Sequence, residues 1–322
     1  MTAPRHPDAR EVIASVVDAG SFVSWDEPPL EPREIDASYA AALAAARLKT
    51  GVDESLITGE GTISGRRIAV VASEFGFLGG SIGVAAADRL ARAVEKATRL
   101  ELPLVAAPAS GGTRMQEGTI AFLQMVKITA AITRHKAAGL PYLVYLRHPT
   151  MGGVLASWGS LGHVTAAEPG ALIGFLGPRV YQTLYGEPFP SGVQRAENLL
   201  EHGLIDAVIA LEDVAGLAAR TLSVLAGSRE RPPDIEPLPL ETLPDLPAVA
   251  SIERSRRPDR PGVRRLLRVA ATDVSLLRGT GAGETEPGLV LALARFNGVP
   301  CIVVGQDRRR DADRPLGPGG LR

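Results

Sequence analysis

The sequence predicts an α/β fold in which a mostly parallel sheet is covered on both faces. Short apolar runs alternate with longer helical ones in steps of about 35 residues, the rhythm of strand, helix and returning strand. Runs such as LPLVAA are apolar at every position, which a strand exposed on one face would not be. A glycine pair stands at each strand-to-helix junction: Gly79-Gly80, Gly111-Gly112 and Gly152-Gly153.

Taken in order, residues 8–18 place Val12, Ile13, Val16 and Val17 at helical spacing, and the Ala-rich residues 38–49 form a second peripheral helix with Ser38 as its cap. GRRIAVVASEF, residues 65–75, is a β-branched strand that runs through FGFLGGSIG into an amphipathic helix over 81–100. The unit repeats as a strand over 102–110, a GGT turn, and a helix from Arg114 to its stop at Gly139. A third copy has its strand over 141–149, the turn TMGG, and a helix of small residues, VLASWGSLGHV; EPGALIGFLGP then reads as a last short strand. Residues 213–226 are helical. The stretch 228–247 holds six prolines and no apolar periodicity, so it reads as a linker. Beyond it, GVPCIVVGQD echoes GRRIAVVASE as though a second copy of the domain begins. The expected organisation is a domain over 1–226, a Pro-rich linker over 227–250 and an incomplete second domain over 251–322.

Composition narrows the function. With 35 Lys and Arg against 36 Asp and Glu the net charge is −1, too little to hold a polyanion, so nucleic acid is not an expected partner. The single cysteine, Cys301, excludes an internal disulfide framework and a four-cysteine zinc site, and the five histidines show no ligand spacing, so no metal is expected. The N-terminus lacks an apolar signal core and no run reaches membrane-spanning length, which gives the expectation of a cytoplasmic chain with no membrane partner.

The glycine pairs carry the chemistry. Glycine lets backbone approach a ligand, and the first amides of a helix have no intrahelical acceptor, so turns that face one another could hold a thioester enolate; the alternative is that the glycines only make tight turns. Arg114 sits in the first turn of its helix, where a cation needs an anionic neighbour, either a substrate group or an acid such as Glu117. Arg179 poses the same choice. Ser110 is not in a G-x-S-x-G elbow, His135 and His163 read as helix-face residues, and no nucleophile or base stands out. A reaction whose base comes from substrate or cofactor suits such a site.

TGEGTISGRRIAV, FLGGSIG, ASGGTRMQEG, PTMGGVLASWGSLGHVTAAEPGALIGFLGPRV and SGVQRAENLLEHGLIDAVI resemble the carboxyltransferase β-subunit of acetyl-CoA carboxylase along residues 45–210. ERSRRPDRP, GLVLALARFNGVPCIVVGQDRRR and LGPGGLR resemble the opening of its α-subunit, as in a fused β–α chain that ends early. The resemblance implies the crotonase-like (ClpP/crotonase) ββα superhelix. It also implies transfer of carboxylate from carboxybiotin, borne on a biotin carboxyl carrier protein and charged by biotin carboxylase, to acetyl-CoA, giving malonyl-CoA for fatty acid synthesis. It places Gly111, Gly112, Gly152 and Gly153 as backbone oxyanion residues and Gly79, Gly80, Ser81, Thr113, Arg114, Gly177 and Arg179 at the acyl-CoA. The biotin would be held by an α-type half, in a homo-oligomer. The carboxybiotin, releasing CO2, would leave a biotin enolate able to take the α-proton. Two features depart from the pattern: the four cysteines of a zinc ribbon are missing, and the α-like part breaks off at Arg322. A biotin-independent malonate or acyl-CoA decarboxylase subunit and a non-catalytic CoA-binding subunit are the alternatives.

Overall fold

The computed structural model describes residues 6–30, 35–227, 246–257, 260–278, 283, 285–286 and 288–306, the side chains of 178 and 179 excepted. The linker expected over 228–247 lies outside the described residues but for its last two. The chain divides into two compact units, residues 1–222 with 278–285, and residues 223–277 with 286–322.

The first unit is built on a seven-stranded sheet. Its helices and strands are α1 (Ala9–Val16), β1 (Val23–Ser24), α2 (Ala37–Thr50), β2 (Leu56–Ile63), β3 (Arg66–Ser73), α3 (Val84–Arg99), β4 (Leu104–Ala107), α4 (Gly118–Ala137), β5 (Tyr142–Leu146), β6 (Thr150–Met151), α5 (Gly152–Val154), β7 (Val164–Ala167), β8 (Ile173–Gly174), α6 (Pro178–Tyr185), α7 (Ala196–Glu201), β9 (Ala207–Val208) and α8 (Val214–Leu225). The strand order is β1-β2-β3-β4-β5-β7-β9; β1, β2 and β3 run antiparallel and every later pairing is parallel. The apolar strands are explained by what covers them. Ala69, Val71, Leu104, Ala106, Tyr142, Val144 and Leu146 pack with α3 and α4 on one face. Their alternating neighbours Val70, Ala72, Val105, Ala107, Leu143 and Tyr145 pack with α1, α2 and α8 on the other.

Some boundaries differ from the sequence reading, each for a local reason. The cap of α2 is Asp36, whose carboxylate accepts the Tyr39 amide at 2.7 Å, while Ser38 turns back to donate to Asp36. The long helix begins at Gly118 after a 3₁₀ turn over Met115–Glu117. The small-residue helix stops at Gly159, its last turn π-helical over Leu155–Gly159, and Val164–Ala167 is a strand of the main sheet. The short strand within EPGALIGFLGP lies outside the seven-stranded sheet: among the described residues β8 pairs with β6 in a two-stranded sheet of its own. His163 lies before β7 and off any helix, where its Nδ1 accepts the Tyr142 amide at 3.0 Å.

In the second unit, α9 (Ala248–Ser255) and α10 (Val263–Ala270) accompany an antiparallel sheet of β10 (Ala271–Leu277), β11 (Leu289–Phe296) and β12 (Val299–Gln306) around Leu267, Val290, Ala292 and Ala294. The echo noted in the sequence is one of hairpin position. Both β3 and β12 return from two-residue turns with positive φ at both positions, Ser64-Gly65 and Asn297-Gly298.

Candidate active site

Three turns at the C-terminal ends of β3, β4 and β5 are laced together by backbone hydrogen bonds. The Gly111 amide donates to Gly79 O at 2.9 Å, the Ile82 amide to Gly112 O at 3.0 Å, and the Arg114 amide to Ile82 O at 3.0 Å. The Met151 amide donates to Ser110 O at 2.9 Å, which ties the second turn to the third. Gly112 and Gly152 then face one another: a Cβ on Gly152 would stand 3.8 Å from the Gly112 Cα and 3.7 Å from the Phe175 carbonyl oxygen. A Cβ on Gly153 would stand 3.0 Å from Thr113 Oγ1 and 3.3 Å from Met125 Cγ. Among the described residues, the side chains nearest Gly153 are those of Thr113 and Met125, neither of them ionisable.

The four oxyanion candidates separate into two kinds. The amides of Gly111 and Gly112 already have acceptors, Gly79 O and Ser110 Oγ, the latter at 3.0 Å. This corrects the expectation that they donate to a ligand; what Gly112 contributes is room. Gly152 and Gly153 open α5, so neither amide has an intrahelical acceptor; the parallel register of β6 with β8 gives the Gly152 amide to the Gly174 carbonyl, which leaves the Gly153 amide as the candidate donor to a ligand. Ser110 is fully buried, and its hydroxyl, between the amide and the carbonyl of Gly112, fixes the turn.

Arg114 resolves the choice left open by its position. Its guanidinium is 1% exposed and fans inward onto Glu54, donating from Nη1 at 2.9 Å and again from Nη2, with further bonds to Ser81 O at 2.7 Å and Ser55 Oγ at 3.3 Å. A substrate cannot reach it, which corrects its assignment as a contact residue. Ser81, held by the same guanidinium, belongs to the frame of the site. Glu117 lies 3.6 Å from Arg114 but takes the Val84 amide at 2.6 Å and the Tyr39 hydroxyl instead, so it caps α3. Burial alone would push the Arg114 guanidinium down, and the Glu54 carboxylate overrides that and raises it. Burial and the bond to Glu117 push Tyr39 up to about 12. Glu54 and Tyr39 carried no signal in the sequence, for neither sits in a glycine turn. Gly177 is the N-cap of α6, beside the Phe175 turn; the Arg179 side chain lies outside the described residues.

A family model for the carboxyl transferase domain matches residues 9–317. The chain belongs to the carboxyl transferase family. A "probable biotin-dependent acyl-coenzyme A carboxylase beta3 subunit" of Mycobacterium tuberculosis is 62% identical over 309 residues, 96% of this chain. The chain spans 62% of that relative's length. The acetyl-coenzyme A carboxylase carboxyl transferase subunit beta of Mesorhizobium japonicum is 41% identical over 250 residues, 76% of this chain and 79% of its own. Among solved structures, transcarboxylase 12S superposes with a TM-score of 0.72 at 24% identity, over 93% of this chain and 56% of that one. A Pseudomonas malonate decarboxylase MdcD-MdcE heterodimer gives 0.52 at 25% identity, over 68% and 85%. The fold of this carboxyl transferase chain is thus α/β and crotonase-like. Among the described residues, no group of His, Cys, Asp and Glu could hold a metal, and no helix is long and apolar enough to cross a membrane.

Proposed function

We propose that this chain is the acyl-CoA side of a biotin-dependent acyl-CoA carboxyltransferase. The observation that carries the reading is the cleft between Gly112 and Gly152, where the Gly153 amide opens a helix and the nearest side chains among the described residues, Thr113 and Met125, are not ionisable. Such a site can hold the oxygen of a thioester enolate through a backbone donor, and one oriented donor stabilises a developing oxyanion by about 3 kcal/mol. A general base is not needed from this chain if the co-substrate brings one. Carboxybiotin, delivered on a biotin carboxyl carrier protein charged by a biotin carboxylase, supplies the carboxylate; the remaining segment of a longer chain, or an α-type half, holds it.

Acetyl-CoA, carboxylated to malonyl-CoA for fatty acid synthesis, is the acyl group we assign, supported by the relatives named for acetyl-CoA carboxylase. Gly79, Gly80, Thr113 and Gly177 shape the approach of the thioester, with Gly111 and Ser81 in the frame behind. A carrier-linked malonate decarboxylase is the second reading, favoured by the likeness to the Pseudomonas heterodimer.

The test runs the reaction in reverse: malonyl-CoA with free biotin, following acetyl-CoA, with this chain alone and with an α-type half added. Turnover in the mixture supports the reading. Turnover only with a phosphopantetheinyl carrier supports the decarboxylase, and CoA binding by calorimetry without turnover in any mixture reduces the chain to a binding subunit.

A further inference from the structure

Gln194, in the motif SGVQRAEN, was assigned no role by the sequence, and it reaches the turn beside Gly152. Its side-chain Nε2 donates to the Leu176 carbonyl at 2.7 Å, from a residue only 9% exposed. The same side chain fills the space where a Cβ on Gly174 would be, so β8 carries glycine there to admit it. The backbone adds to the hold: the Ile173 amide donates to Gln194 O at 3.1 Å, and Leu172 and Arg195 form an antiparallel bridge. On its other edge β8 pairs in parallel with β6, and the Thr150 amide donates to Leu172 O at 2.9 Å. The strand β6 ends at Met151, directly before Gly152, and β8 ends directly before Phe175, whose carbonyl stands over Gly152.

A two-residue sheet is a weak support, and the Phe175 side chain is exposed, so packing does little to hold this turn. The Gln194 amide is its polar tether. Among the described residues its buried Oε1 has no partner, a cost in desolvation that an apolar residue of the same length would avoid. We propose that Gln194 is a positioning residue: through Leu176 it sets the Phe175–Gly177 turn against Gly152 and so fixes the Gly153 amide that receives the enolate oxygen. This rests on the enolate reading of the Gly152 turn.

The experiment uses the chain assembled with its α-type half and compares wild type with Gln194→Met, which keeps the length and loses the donor, and Gln194→Glu. For Gln194→Met, kcat for malonyl-CoA with free biotin falls by about 10- to 100-fold while KM and calorimetric CoA affinity stay within about twofold, because placement and not ground-state binding is lost. Hydrogen exchange speeds up in peptides covering 150–154 and 173–177 and nowhere else in the first unit. Gln194→Glu is impaired at neutral pH and recovers as the pH is lowered and its carboxyl gains a proton to donate, a profile that packing alone would not give. Wild-type kcat and unchanged exchange at 150–154 in Gln194→Met overturn the proposal. Should Gln194→Met not fold, a flat profile for folded Gln194→Glu overturns it equally. A wild-type assembly without turnover sinks the enolate reading alone, since the exchange measurement still decides whether Gln194 holds the turn.

Discussion

Gly79 and Gly80 are neighbours in one turn, yet they are glycine for different reasons. Both have positive φ, +67° and +63°, but a Cβ on Gly79 would meet nothing, whereas one on Gly80 would sit inside the Ala109 carbonyl. Gly79→Ala therefore carries only the left-handed backbone penalty, about 1–2 kcal/mol. Gly80→Ala must also push the β4 turn away from the β3 turn, and urea unfolding is expected to show it several-fold more destabilised. Equal losses would mean that the two turns are not locked together. Gly153 separates function from stability more cleanly. Its backbone is in ordinary φ range, and a valine would press on Thr113 Oγ1 at 3.0 Å and Met125 at 3.3 Å, which costs about 1–3 kcal/mol of overpacking. The chain then still folds, but the amide loses its aim, and Gly153→Val should lower transfer from malonyl-CoA by at least about a hundredfold. Normal turnover with a normal melting curve would remove Gly153 from the site.

Among the elements, the turns are held by charge that no ligand touches. Arg114 joins the loop carrying Glu54 and Ser55, the β3 turn through Ser81, and its own β4 turn, all in a region from which water is excluded. Removing Glu54 takes from the buried Arg114 its two bonds to a carboxylate and leaves it, among the described residues, only the more distant Glu117, 3.6 Å away. Glu54→Gln should cost about 3–5 kcal/mol in urea unfolding, and the double variant with Arg114→Met should recover much of that loss; an additive double variant would show that the pair acts separately. The same network marks where sequence reasoning stops. Apolar strands and glycine punctuation are local signals, so the alternation of β3, α3, β4, α4 and β5 was legible, and so were the turns that come together. Glu54 and Gln194 were not, because their partners lie 60 and 18 residues away in sequence and nothing local announces them. β7 was hidden for the opposite reason: the small residues of HVTAA continue the helical stretch before them, and it takes pairing with β5 and β9 to make them a strand. Which of the four glycine amides are spoken for also needed coordinates, since Ser110 Oγ takes one of them.

At the scale of the whole molecule, three histidines make the first unit sensitive to mild acid. His135, His148 and His163 are all held below the ordinary value of 6.5, chiefly by burial. Lys136 and His135 push His163 further down, and His6, stacked 4.9 Å from His148, does the same there. The geometry agrees: His163 Nδ1 accepts the Tyr142 amide and His148 Nδ1 accepts the Leu172 amide, each at 3.0 Å. An imidazolium only donates, so protonation breaks both bonds, one at the start of β5 and one beside β8. The unfolded chain binds these protons more readily than the folded one, so stability is fully present above 6.5 and is lost as the pH falls below it. Asp18, Asp36 and Asp53, which lie below 3.8, act in the same direction but only at lower pH, and Asp26 and Asp206, raised by burial, act in the opposite one. In the interval between about pH 7.5 and 5 the histidines lower stability as they gain protons, and the raised Asp26 and Asp206 oppose them from the acid side. Calorimetric melting across it should show Tm falling with pH. Glutamine keeps a side-chain acceptor and does not titrate, so His148→Gln with His163→Gln should flatten the slope while leaving Tm at pH 7.5 close to wild type. A wild type whose Tm is level across the interval, or a double variant with the wild-type slope, would place the acid sensitivity elsewhere in the chain.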